Sequence, residues 1–326
     1  MKILVAGAGG FIGGHLVGKL ISNGHSVRAV DWKAQEDWWQ RHEGSENVCF
    51  DLREKANCEA AVNGVDRVYN LACDMGGMGF IENNKALCML SVLINTHLLS
   101  ASQKYRVQRF FYASSACVYN ADKQHSPQVI PLKEEDAYPA MPEDGYGWEK
   151  LFSERMCRHF TEDFGIATRV ARFHNVYGPR GTWMGGREKA PAAVCRKVIQ
   201  AKLAGKLEIE IWGSGEQTRS FTFIDDCIHG SEMLMDSEVT EPLNIGSAEL
   251  VSINGLVDMV EHIAGVTLKR RYNLNAPKGV NGRNSDNTRI QALLNWAPST
   301  RLMDGMAHTY AWIYDQIVNN RKCPVY

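Results

Sequence analysis

The chain has 326 residues, 36 of them basic and 37 acidic, so charge favours neither a nucleic acid nor an anionic membrane surface as a partner. That length suits one large domain, or two closely associated ones, with a sizeable core. Its nine scattered cysteines contain no Cys-x-x-Cys pair, which favours neither a zinc site nor a disulfide framework; they read as reduced thiols of a cytoplasmic protein.

Residues 1–7 enter a strand at once, leaving no room for a signal peptide. Residues 3–6 are continuously apolar, as a strand buried on both faces should be. Phe11, Ile12, Leu16, Val17 and Leu20 recur at helical spacing, Gly24 stands where a helix stops, and residues 26–30 read as the second strand. Residues 67–71, 109–114 and 170–173 look like further buried strands, and residues 146–164 have the apolar spacing of a helix. Beyond about residue 178 the pattern loosens. Residues 181–187 read as a loop, 190–203 as a helix and 208–212 as a short strand, while 221–224 and 243–245 are apolar enough to rejoin the main sheet. Ser252 caps a helix that Gly265 stops, and an amphipathic helix fits residues 305–318. The longest apolar stretches look strand-sized, well short of a bilayer span. The alternation predicts an α/β fold: a Rossmann-type doubly wound parallel sheet with a smaller interleaved carboxy-terminal domain and a cleft between them.

Gly7, Gly10 and Gly13 stand in Gly-x-x-Gly-x-x-Gly spacing between the first strand and its helix. Such a turn lets backbone approach a pyrophosphate and points the helix amino end, here Phe11 and Ile12, at negative charge. Asp31 ends the second strand eighteen residues after Gly13, where a carboxylate accepts both ribose hydroxyls of NAD and repels the extra phosphate of NADP; Lys33 stands close by. Asp51 and Leu52 follow a third apolar segment and are candidates for adenine contact, a turn aspartate being the alternative. Tyr146 and Lys150 are four residues apart, on one helix face. An ammonium there stabilises the phenolate of a tyrosine that otherwise titrates near 10. With Ser115 these are the parts needed to take a proton from a sugar hydroxyl as a nicotinamide takes the hydride. Cys117, two residues on, adds a second acid/base group, although most single cysteines are core thiols. Trp148 points elsewhere on the helix and reads as packing.

With these segments in view, the chain resembles the extended short-chain dehydrogenase/reductase family, specifically its sugar-nucleotide enzymes, from Gly7 to about Tyr314. The resemblance is carried by residues 74–80 (DMGGMGF), 111–117 (FYASSAC), 172–179 (RFHNVYGP), 185–191 (GGREKAP), 217–223 (QTRSFTF) and 282–287 (GRNSDN). It implies NAD as cofactor and a GDP-hexose as substrate. It also implies inversion at sugar carbons 3 and 5, reached through transient oxidation at carbon 4. Tyr146 is then the base at the carbon 4 hydroxyl, with Ser115 and Lys150 assisting, and Cys117 with Lys189 is the acid/base pair. Oxidation at carbon 4 makes sense of that pair, because a ketone acidifies the carbons on either side. Substrate contacts are implied for Gly76, Ser115, Cys117, Asn175, Glu188, Lys189, Ala190, Lys197, Gln217, Arg219, Ser220 and Arg283. The two arginines are apt for a diphosphate. An NAD-binding domain is expected over 1–178 plus about 221–248, a sugar-nucleotide domain over about 179–220 plus 249–326, and a homodimer by analogy with relatives. Residues 200–210 are a few longer than in similar chains, which changes the surface near the nucleotide.

Three other functions compete. A 4,6-dehydratase usually has an acidic pair beside the active-site threonine, where this chain has Ala116-Cys117. A simple 4-epimerase leaves Cys117 idle. A non-catalytic NAD-binding scaffold has no use for Ser115, Tyr146 and Lys150 together.

Overall fold

The computed structural model describes residues 1–319; the final stretch of the expected carboxy-terminal domain, 320–326, lies outside the described residues. Six strands, β1 (Lys2–Ala6), β2 (Ser26–Asp31), β3 (Ser45–Cys49), β4 (Arg67–Asn70), β5 (Arg109–Ser115) and β6 (Ala167–Phe173), form the main sheet with Leu243–Ile245. Their order is β3-β2-β1-β4-β5-β6 and then Leu243–Ile245, every pairing parallel. Strand order reverses between β1 and β4, which opens a crevice beyond the carboxyl ends of those strands.

The pleat of β1 shows why its sequence is continuously apolar. Ile3 and Val5 join one core cluster with Leu16, Val17 and Phe111, while Leu4 and Ala6 join another with Leu98, Leu99 and Phe110. Each fully buried Leu, Ile or Phe of this kind contributes about 1.5–3 kcal/mol relative to exposure. The first layer includes the helices Phe11–Ser22 and Ile224–Asp236; the second includes Lys55–Val62, Ser91–Lys104 and Tyr146–Phe164. Ser252 caps Ile253–Ala264 through its side chain, which accepts from the Gly255 N–H at 3.0 Å, and Gly265 ends that helix in the left-handed region.

Several expectations are corrected. Residues 221–224 do not rejoin the main sheet: Thr222–Phe223 pairs with Val176–Tyr177, and Ile224 starts a helix whose first turn carries Asp225 and Asp226, charges suited to a helix amino end. The last helix begins at Leu302. The apolar stretches are not all strand-sized. By length and composition the helical stretch Lys85–Lys104 is able to cross a bilayer, yet much of it is packed within the domain, with Cys88, Ile94, Leu98 and Leu99 buried. Its outward residues Met89, Leu90 and Leu93 are exposed, and so are Trp148 and Phe152 of Tyr146–Phe164. Trp148 is 44 % exposed and does not fill a core position.

Outside the main sheet, Thr218–Ser220 lies between Leu250–Ser252 and Gly282–Arg283, and Glu208–Trp212 pairs with Lys269–Asn273. These small sheets carry Gln217, Arg219 and Arg283 to the mouth of the crevice.

Candidate active site

Two cavities meet at the carboxyl ends of the central strands. The first, about 380 Å³, runs from the glycine turn past Asp31, Asp51 and Leu52 to Tyr146. The second, about 230 Å³, is lined by Gly76, Cys117, Asn175, Lys197, Arg219 and Arg283 among others. Met75, Ser115, Tyr146, Phe173 and Lys189 line both, so the reacting groups stand where the two spaces join.

The first cavity fits a dinucleotide. A Cβ on Gly13 would lie 2.1 Å from the Gly7 carbonyl oxygen, so only glycine permits this close helix–strand approach. Gly10 caps Phe11–Ser22 without any side-chain bond, which leaves the helix amino end open to a phosphate. The Asp31 carboxyl accepts the Gly9 N–H at 3.0 Å and the Lys33 N–H at 3.1 Å. Burial pushes it above the usual carboxylate range, against the pull of Lys33. The Lys33 ammonium is itself buried and donates to the Gly9 carbonyl at 2.9 Å, so it braces the turn. Asp51 is held by Arg53 at 2.6 Å and kept below its ordinary range by that bond.

β5 delivers Ser115 to the junction. The Ser115 hydroxyl accepts the Cys117 N–H at 3.2 Å, which starts a short 3-10 turn, Ala116–Val118, and puts the thiol beside it. Tyr146 opens the helix Tyr146–Phe164 and is 4 % exposed. Burial holds its phenol well above the usual value, Cys73, Cys117 and Glu149 act in the same direction, and hydrogen bonding from Ser115 opposes them. Lys150 lines neither cavity. It lies behind Tyr146, its ammonium 5.4 Å from the Tyr146 ring and 4.8 Å from the Tyr112 ring, donating to the Ala113 carbonyl at 3.1 Å.

Cys117 and Lys189 have opposite electrostatic fates. Burial, and then the Glu143 charge, push the thiol up to about 12, while Arg283 pulls it back. Burial brings the Lys189 ammonium below its ordinary range, partly countered by Cys117. Lys189 immediately precedes the helix Ala190–Leu203, whose Pro191 suits a first turn. The loop carrying Gly76 is seated against it: the Gly77 N–H donates to the Arg187 carbonyl at 3.0 Å, and a Cβ on Gly77 would stand 2.4 Å from the Glu188 carbonyl oxygen.

The outer cavity is cationic. Arg283 donates to Gln124 at 2.7 Å and Glu143 at 2.8 Å, and reaches the Cys117 sulfur at 3.6 Å. Arg219 donates to the carbonyls of Thr218, Lys278 and Val280, and burial followed by repulsion from Arg283 pulls it down to about 10. Two crowded guanidiniums with one carboxylate between them suit a diphosphate, which relieves their repulsion. Lys197 donates to the Glu210 carbonyl at 2.8 Å and lies 5.6 Å from the Trp212 ring. Asn175 donates to the Ser220 carbonyl at 3.1 Å. Glu188, Ala190 and Gln217 also line this cavity, but the Glu188 carboxylate is taken by Arg196 at 2.8 Å and the Gly186 N–H at 2.7 Å. Ser220 is fully buried and lines neither cavity, so its hydroxyl does not reach the space a substrate would fill. Glu143, Gln124, Cys73 and Glu149 escaped the sequence reading. Glu149 alone had a local signal, its place between Tyr146 and Lys150.

Comparison with known proteins agrees with this geometry. Residues 3–246 match the model of the NAD dependent epimerase/dehydratase family. The chain is 49 % identical over 318 residues to GDP-mannose 3,5-epimerase 1 of Oryza sativa subsp. japonica, covering 97 % of this chain and 82 % of that one. It is 48 % identical to the GDP-mannose 3,5-epimerase of Arabidopsis thaliana, covering 97 % and 83 %. Among solved structures, UDP-glucuronic acid 4-epimerase from Bacillus cereus in complex with UDP-glucuronic acid and NAD superposes with a TM-score of 0.83 at 26 % identity, covering 97 % and 100 %. Glycine turn, Ser115/Tyr146/Lys150 set and sheet order lead to one conclusion: the chain belongs to the NAD dependent epimerase/dehydratase family, with NAD as its cofactor.

Proposed function

We propose that the chain inverts a GDP-hexose at carbons 3 and 5, converting GDP-mannose to GDP-L-galactose and, by inversion at carbon 5 alone, GDP-L-gulose. The observation that carries this reading is that Lys189 shares the cavity junction with Tyr146 and Ser115, while Cys117 lines the second cavity that opens from it. Gly7, Gly10, Gly13 and Asp31 would hold NAD, which would supply reversible hydride acceptance for the oxidation at carbon 4. Tyr146 takes the carbon 4 hydroxyl proton, Ser115 hydrogen bonds in the same place, and Lys150 offsets the phenolate from behind. With carbon 4 a ketone, carbons 3 and 5 are acidic. Cys117 holds its proton tightly and Lys189 gives its proton up more readily than an ordinary lysine. One of the two can therefore donate as the other accepts, which inverts a carbon between them. Arg219 and Arg283 bind the diphosphate and exclude water from that end.

The test is incubation with GDP-mannose in heavy water, followed by NMR of the sugar. Deuterium at carbons 3 and 5 supports the reading. Inversion at carbon 4 without solvent exchange overturns it in favour of a 4-epimerase, the activity named for the B. cereus structure.

The exposed strip of Met89, Leu90, Leu93, Trp148 and Phe152 supports a homodimer formed through the helices that carry it. A cytoplasmic location is supported by the cysteines, which are unpaired among the described residues.

A further inference from the structure

The scheme above gives Glu149 no task, although it stands next to Lys150 and is almost wholly buried. One oxygen of its carboxylate accepts from the Tyr112 hydroxyl and from the Ser153 hydroxyl, each at 2.9 Å. The other oxygen is buried, accepts no hydrogen bond, and lies 3.6 Å from the Lys150 ammonium. The two side chains are 1 % and 2 % exposed, so water screens this pair very little. The remaining titratable groups around it come from several elements. Cys73 follows β4, Cys88 lies in the helical stretch Lys85–Lys104, Tyr112 is on β5, Cys117 follows β5, and Tyr146 and Cys157 share the helix. Burial raises every one of those thiols and phenols above its ordinary range. Glu154 and Asp74 act on the same cluster through Cys157 and Cys73, and Glu149 is the carboxylate at ion-pair distance from Lys150 among the described residues.

We propose that Glu149 is a positioning residue for the redox half of the reaction: it pins the Lys150 ammonium behind Tyr146 and sets the charge that both groups feel, while Tyr112 and Ser153 hold its carboxylate still. This deepens the proposed function and rests on Tyr146 and Lys150 handling carbon 4. The electrostatics agree. Burial works to lower Lys150, Cys73 and Glu149 work to raise it, and the net displacement is upward. Glu149 also adds to the upward displacement of Tyr146. A negative charge that raises both groups moves the whole pH window in which a phenolate and an ammonium coexist.

Glu149→Gln keeps the shape and an oxygen for Tyr112 and Ser153, and removes only the charge. The measurement is the initial rate of deuterium wash-in to GDP-mannose, across pH, at saturating NAD and substrate. Both limbs of the variant profile are expected about one pH unit to the acid side of the wild-type limbs. A residue that merely filled space would lower the amplitude and leave both limbs in place, and that result overturns the proposal. Tyr112→Phe decides the matter if Glu149→Gln does not fold. It strips a donor from the carboxylate and so strengthens its field, and the limbs should then move to the alkaline side; limbs that stay put overturn the proposal. Wild-type protein run in parallel separates the two failures: no wash-in at any pH sinks the proposed function itself, whereas a normal wild-type profile with unmoved variant limbs sinks the role of Glu149 alone.

Discussion

Replacing Arg283 with methionine retains much of the side chain's bulk and removes its charge. In the wild type the guanidinium holds Gln124, Glu143 and the Cys117 sulfur at 2.7, 2.8 and 3.6 Å. The Arg283 and Glu143 side chains are 5 % and 12 % exposed, so little solvent screens them. Breaking a buried pair by deleting one partner costs about 3–5 kcal/mol. Arg219 returns roughly 1 kcal/mol of that as its repulsion from Arg283 disappears. The net loss at pH 7 is then about 2–4 kcal/mol. With an unfolding entropy of ~2.1 cal/mol/K for each of the 326 residues, the melting temperature should fall by about 3–6 °C. The sign with pH follows from Glu143. In the wild type, burial raises its carboxyl but Arg283 and Cys117 outweigh burial and keep it below the ordinary 4.5. That pair therefore stabilises the fold above pH 4.5, and its contribution is lost as pH falls through the folded value. In Arg283→Met the largest influence opposing burial is gone, with Cys117 and Arg219 left, so the Glu143 carboxyl rises and the penalty, full at pH 7, shrinks as pH falls toward 5. Thermal unfolding by circular dichroism at fixed NAD, from pH 5 to 8, reads this out. Adding Glu143→Gln to Arg283→Met should recover most of the loss at pH 7. A variant that melts with the wild type at pH 7, or whose deficit is the same at pH 5 and 7, would refute the reasoning.

Cys117→Ala and Lys189→Ala should each slow deuterium wash-in at carbons 3 and 5 by about 10²–10⁴-fold while NAD binding, followed by calorimetry, stays at the wild-type level. Asp31→Asn keeps an oxygen for the Gly9 N–H and removes the charge facing a 2′-phosphate; the ratio of dissociation constants for NADP over NAD should drop roughly tenfold. A ratio that does not change argues that Asp31 only braces the glycine turn. Trp148→Glu with Phe152→Glu should turn the proposed homodimer into a monomer in sedimentation velocity, with little change in melting temperature at matched dilution, because both side chains already face solvent within one chain.

The cofactor end was readable because its parts are local. Gly7 to Gly13 make one turn, Asp31 ends the next strand, and Tyr146 and Lys150 are one helical turn apart. Helix ends with a chemical cause, such as Ser252 and Gly265, were readable for the same reason. The cationic floor was readable in Arg219 and Arg283, through the resemblance, but not in the partners that hold them. Arg283 meets Glu143 across 140 positions and Cys117 across 166, and nothing near any of the three advertises the other two. The helix Ile224–Asp236 stayed hidden because its buried side includes Asp226, Gly230 and Ser231 beside Ile224 and Leu234, which blurs the apolar period. Glu188 and Ser220 differ from the other expected substrate contacts. Their segments lie near the cavity, but the Glu188 carboxylate is bonded to Arg196 and the Gly186 N–H, and Ser220 is buried and lines neither cavity.

The edge strand Leu243–Ile245 has a consequence for biogenesis. It zips onto β6, whose last residue, Phe173, precedes it by seventy positions. During translation the flank of β6 is born without its neighbour, and an unpaired, apolar ribbon waits for several seconds at ordinary ribosome speed. Truncation before residue 243 leaves that ribbon bare for good, which makes nascent fragments of this length candidates for chaperone capture and aggregation.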